Sequence, residues 1–133
     1  MSDSDNSTSA VIDRFLEAYN SGDLVAMREA LGDDAVAFVT GPDGNPIRLD
    51  GAEMYIAALG AMDLAHVDYS VQLTQPPVMV GADRALIMTE VRARRDDRTL
   101  QNFAAHLLRV TDGKIVEMYM VDAKPADSDA FWA

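Results

Sequence analysis

Residues 102–122, NFAAHLLRVTDGKIVEMYMVD, decide how the rest of the chain is read. Two β-type runs meet at Asp112-Gly113, a dipeptide that supplies the positive φ angles of a type I′ hairpin turn. With Thr111 opposite Lys114, an unbroken ladder pairs Val110 with Ile115, Leu108 with Glu117, Leu107 with Met118, His106 with Tyr119 and Phe103 with Asp122. One face then carries Phe103, Ala105, Leu107, Arg109, Val116, Met118, Met120 and Asp122. The other carries Ala104, His106, Leu108, Val110, Ile115, Glu117, Tyr119 and Val121. Both faces are mostly apolar, so neither can be left in water. Helices cover one, and a partner subunit or a bound ligand is expected over the rest.

The chain has 133 residues, 49% of them hydrophobic, which is enough for one core and short for two domains. It has no cysteine, which excludes disulfides, thiolate metal sites and a thiol nucleophile, and suits a reducing cytoplasm. A net charge of -11 argues against nucleic acid and anionic membrane as partners. No apolar run approaches the roughly 18 residues of a membrane span, and the start Met-Ser-Asp-Ser-Asp has no export signal. The expected location is cytoplasmic.

Residues 1–9 read as a polar, disordered tail and 10–133 as a single domain. Val11, Ile12, Phe15, Leu16 and Tyr19 recur at helical spacing up to Asn20-Ser21-Gly22. Asp23 caps a second helix lined by Leu24, Met27 and Leu31, and a short strand follows over 35–39. Asp50-Gly51-Ala52-Glu53 has the form of a capping box and opens a third helix holding Met54, Tyr55, Ala58, Leu59 and Met62. Strand patterns fill the remainder: 67–73, with Pro76-Pro77 at its end, then 85–94, then the hairpin, with Arg94-Arg95-Asp96-Asp97-Arg98 as a solvated turn. The order is that of an α+β layered domain. Phe131-Trp132, near the C-terminus, is expected to dock on an apolar surface.

The run VIDRFLEAYNSGDLVAMREALGDDAVAF, the third helix and the closing HLLRVTDGKIVEM resemble the NTF2-like superfamily, in particular its ketosteroid isomerase-like and SnoaL-like polyketide cyclase branches. The resemblance covers about nine tenths of the chain. It implies a cone in which a curved antiparallel β-sheet wraps three N-terminal helices and encloses an apolar pocket, in proteins that are commonly homodimers. The isomerase chemistry does not carry over. Where that enzyme uses a strand carboxylate as base and a tyrosine with a protonated aspartate as oxyanion hole, the matching positions here are Val39, Phe15 and Ala105. No proton-handling group stands at any of them.

The same matching puts Phe15, Val39, Ala105 and Met118 on the pocket wall. Strand parity adds Phe103, Leu107, Met120 and Asp122, and the helix faces add Tyr19, Tyr55 and Leu59. Asp122, ending a strand on an apolar face, is the candidate acid/base group, its pKa expected to rise through partial desolvation. Tyr19 is the candidate to polarise a ligand carbonyl. SnoaL-like cyclases use a His with an Asp, but an unbroken ladder places His106 and Asp122 on opposite faces. His106, Leu108 and Tyr119 are then expected in a homodimer interface. His66, without a second ligand at metal-binding spacing, points to no metal. The expected function is binding of a mostly apolar small molecule, with isomerase, cyclase or hydratase chemistry that needs no cofactor. The alternatives are a non-catalytic ligand-binding or dimerisation module and, behind it, a protein-binding adaptor.

Overall fold

Two helices open the described chain and a third follows the first two strands, each an apolar helical stripe with a strong stop. The computed structural model describes residues 7–62, 64 and 67–132; His66 and most of the expected N-terminal tail lie outside them. Helix α1 (Thr8–Ser21) is capped by the Ser7 hydroxyl, which accepts from the Ala10 N–H, and ends at Gly22 in the left-handed region with φ 71°. It buries Val11, Ile12 and Phe15. Helix α2 (Leu24–Glu29) is capped by Asp23. Helix α3 (Ala52–Gly60) lacks the expected capping box: Gly51 occupies the cap with no side-chain bond, Asp50 pairs with Arg48, and Glu53 pairs with Arg28.

Seven strands form one sheet in the order β2-β1-β7-β6-β5-β3, with β4 also on β5. They are β1 (Leu31–Thr40), β2 (Pro46–Asp50), β3 (Asp68–Leu73), β4 (Val78–Val80), β5 (Arg84–Arg95), β6 (Arg98–Thr111) and β7 (Lys114–Asp122). The sheet is mixed rather than wholly antiparallel, because β1 runs parallel to β7. A fourth helix, α4 (Pro125–Trp132), follows β7 where the sequence pattern showed only an aromatic pair. Pro125 stands at its first position, where a missing N–H costs nothing.

The decisive difference from the sequence reading lies in the last hairpin. Thr111 pairs with Lys114 and Val110 with Ile115, as the turn requires, but Arg109 pairs with Glu117. Val116 is therefore an extra residue, a β-bulge, and beyond it the partners are Leu108 with Met118, His106 with Met120 and Ala104 with Asp122. The physical reason is that Ile115 and Met118 are both in the core, at 0% and 2% exposure. Three positions apart, they cannot share a face in an uninterrupted strand, whose side chains alternate. The bulge also brings Arg109 opposite Glu117, and the two form an ion pair of 2.8 Å.

The inward face of the hairpin consequently carries Asn102, Ala104, His106, Leu108 and Val110 from β6 with Ile115, Met118, Met120 and Asp122 from β7. Phe103, Ala105, Leu107, Tyr119 and Val121 look outward. The outward placement of Ala105 and Leu107, and the inward placement of His106 and Leu108, overturn the faces expected from an unbroken ladder.

Candidate functional site

Along β6 the inward residues change character in steps. Leu108 and Val110 belong to the main core with Phe15, Ile12, Met27, Ile87, Ile115 and Met118. Leu100, at the other end, joins a second apolar group with Val67, Ala93 and Phe131, against which Tyr69, Val91 and Trp132 pack. Between the two groups lies a belt of polar inward residues, Thr89, Asn102, His106 and Asp122. A cavity of about 280 Å³ opens at this belt. Its apolar wall includes Val39, Leu49, Leu59, Val71, Met118 and Met120, and its polar lining includes Tyr19, Tyr55, Asn102, His106, Asp122 and Ser128.

Most of the residues expected around a pocket meet there: Tyr19, Val39, Tyr55, Leu59, Phe103, Met118, Met120 and Asp122 all line the cavity. Phe103 does so at the rim, with its side chain 42% exposed. Phe15 does not; it is wholly buried in the main core, one helical turn below Tyr19. Ala105 and Leu107 are on the far side of the sheet. The sequence reading missed Asn102 and Ser128 and misplaced His106, consequences of the bulge and of α4, while Trp132, expected to dock on an apolar surface, packs against the second apolar group and lines the cavity.

His106 is buried, and its Nδ1 has no hydrogen-bond partner among the described residues. Burial pushes its imidazole down to about 4, so it is neutral at pH 7. A neutral imidazole keeps one nitrogen as donor and one as acceptor, and the ring lines the cavity. The register sets His106 diagonally across from Asp122, with Cβ atoms roughly 7–8 Å apart. The two groups do not form a direct pair; they flank the same space.

Asp122 is held tightly. Oδ1 accepts from Asn102 Nδ2 at 2.6 Å and from the Lys124 N–H at 2.8 Å, and Oδ2 accepts from the Ser128 hydroxyl at 2.7 Å. Asn102 itself is buried, and its Nδ2 also reaches the Lys124 carbonyl and Ser128 Oγ. This cluster ties α4 to the cavity rim, and Phe131 anchors the far end of the helix. The apolar, desolvated surroundings expected for Asp122 are thus replaced by a shell of donors. Tyr19 is pushed up to about 12, by burial first and then by the nearby Tyr69 and Asp122. Tyr55 is raised further, by burial and then by Tyr19. The two phenols and the carboxylate therefore lie within electrostatic reach of one another, and both hydroxyls stay protonated donors at neutral pH. Among the described residues no group of His, Asp or Glu is arranged to hold a metal, and no helix is long and apolar enough to cross a membrane.

The α+β cone is the fold of the NTF2-like superfamily. Within it, the chain belongs to the SnoaL-like domain family, whose pattern it matches over residues 12–118. It is 27% identical over 124 residues to an uncharacterised protein of Mycobacterium tuberculosis, covering 92% of this chain and 94% of that one. Among solved structures it is similar to IdmH, a candidate polyketide cyclase from Streptomyces antibioticus. That likeness has a TM-score of 0.73 and 23% identity, over 95% of this chain and 99% of the other. It is also similar to an LEH-like epoxide hydrolase of M. tuberculosis, with a TM-score of 0.71 and 19% identity over 90% and 84% of the two chains. At these identities the likenesses establish the fold.

Proposed function

We propose that this protein binds a small, mostly apolar molecule in its cavity and performs cofactor-independent acid/base chemistry on it: an isomerisation, a cyclisation or a hydration. The observation that carries the reading is the buried His106, with an unpartnered nitrogen, on the same inward face as Asp122. His106 is the proton acceptor, present as the free base at neutral pH. Tyr19 and Tyr55 donate hydrogen bonds to a carbonyl or hydroxyl oxygen of the ligand, and Asp122 keeps a negative charge on the same inward face. The names of similar folds, a candidate polyketide cyclase and an epoxide hydrolase, fit small-molecule chemistry of this kind.

Native mass spectrometry of the purified protein identifies any co-purified molecule, and turnover of that molecule and its analogues tests the chemistry. His106→Leu is expected to lower kcat by about 10²–10⁴ while leaving binding within a few-fold. Undiminished turnover in that variant refutes the assignment. The saturated hydrogen bonding of Asp122 favours one competing reading, a non-catalytic binding module in which this carboxylate only fastens α4. Ligand binding without any turnover supports that reading.

The outward sheet face supports self-association. It exposes Met88, Phe103, Tyr119 and Val121, with Phe38 and Tyr119 stacked at 5.1 Å. A symmetric homodimer through this face buries them.

A further inference from the structure

The cavity's charge is one-sided. Asp122 and Asp129 line it, and among the described residues no Lys or Arg does. Elsewhere on the sheet, carboxylates find cations: Glu117 pairs with Arg109, Glu90 with Arg92 and Asp50 with Arg48. Asp122 is half-buried and receives only neutral donors, from Asn102, Ser128 and the Lys124 backbone. A partly desolvated carboxylate without a counter-charge is unusual, since its field is not screened by water as a surface charge is.

The other groups at the belt point to the same kind of occupant. His106, 8% exposed as a residue, lines the cavity, and its Nδ1 has no hydrogen-bond partner among the described residues. Tyr19, Tyr55 and Trp132 add aromatic rings to the lining, and ring faces attract cations. A protonated amine satisfies this set. It donates N–H groups to an imidazole acceptor, supplies the charge that Asp122 lacks, and rests against aromatic rings. A carboxylate finds donors in Tyr19 and Tyr55 but brings a second negative charge beside Asp122, with no Lys or Arg among the described lining residues to offset it.

We propose that the cavity is specific for an amine: a one- or two-ring apolar framework carrying a protonated nitrogen that seats between Asp122 and His106. The cavity volume of about 280 Å³ accommodates such a framework. This inference rests on the small-molecule reading above and narrows its substrate class.

Three probes on one hydrocarbon test it by titration calorimetry at pH 7.5: 2-(aminomethyl)naphthalene, 2-(hydroxymethyl)naphthalene and 2-naphthoate. The amine is expected to bind at least about tenfold more tightly than the carboxylate and more tightly than the alcohol. Asp122→Asn should erase the preference for amine over alcohol. Asp97→Asn, which removes a charge of the same sign in the distant β5–β6 turn, should leave that preference intact. Equal or tighter binding of 2-naphthoate overturns the proposal while leaving the small-molecule reading standing. So does an unchanged preference in Asp122→Asn. Failure of all three probes to bind also overturns the proposal, and the small-molecule reading then stands or falls on the co-purified molecule. Should Asp122→Asn not fold, the ranking of the three probes on the parent protein decides.

Discussion

The buried His106 makes stability depend on pH in a direction that can be worked out. Its ordinary value is 6.5, and burial lowers it to about 4 in the folded protein. Between these values the unfolded chain binds a proton that the native state refuses, so protonation favours unfolding. The contribution is fully present above about 6.5 and is lost as pH falls towards 4. Each pH unit in that interval is worth about 1.4 kcal/mol, so the whole interval carries about 3 kcal/mol. Carboxylates also titrate in acid, and the comparison that isolates the imidazole is with His106→Leu, which fills similar space without a titrating group. Urea unfolding at half-unit steps from pH 7 to pH 4 is the assay. The parent should lose about 3 kcal/mol more than the variant across the range. Parallel stability curves refute the burial argument, and an NMR titration placing His106 near 6.5 does so independently.

Other outcomes follow from particular contacts. Tyr119→Asp on the outward face should convert a dimer to monomer in sedimentation without loss of fold, whereas Leu108→Asp, at 0% exposure, should unfold the chain instead. An unaltered dimer in Tyr119→Asp places any interface elsewhere. Asn102→Ala should cost about 2 kcal/mol, because it strips donors from Asp122 and from the start of α4, and should lower Tm by roughly 7 °C in a calorimetric scan. A shift under a degree means the cluster is solvent-compensated. No appreciable isomerisation of a β,γ-unsaturated ketosteroid is expected, since Phe15 and Val39 stand where that chemistry needs proton-handling groups, and turnover near that of a true isomerase contradicts this.

The helices were legible because their stops are strong: Gly22 with its positive φ, and Asp23 as a cap, leave few alternatives. The turn at Asp112-Gly113 likewise set the first two pairs of the hairpin correctly. What the alternation of polar and apolar residues could not show was the bulge at Val116, because one inserted residue reverses the facing of an entire strand against its partner. The error propagated to His106, Leu108, Ala105 and Leu107 together, and through them to the site and the interface. One signal in the chain did point to it. An unbroken ladder sets Arg109 opposite Val116, whereas the bulged one sets it opposite Glu117, and opposite charges across strands are the better pair. Helix α4 was hidden for another reason: its short run has little apolar periodicity of its own and depends on Phe131 and the Asp122 cluster for its place.

The parallel pairing of β1 with β7 has a consequence for the order in which the protein can be made. The Ile115 N–H donates to the Ala30 carbonyl, and the Thr40 hydroxyl donates to the Met120 carbonyl, so β1 is stitched to the last strand of the sheet. During synthesis, residues 31–40 leave the ribosome with only the short β2 and the first helices beside them. Their other edge waits for some 75 further residues before its partner exists. Contacts of such sequence separation are slow to close, and the open edge is a template for pairing with other chains meanwhile. A chain that stops before β7 should therefore be the aggregating species, and the arrival of β7 the event that closes the open edge.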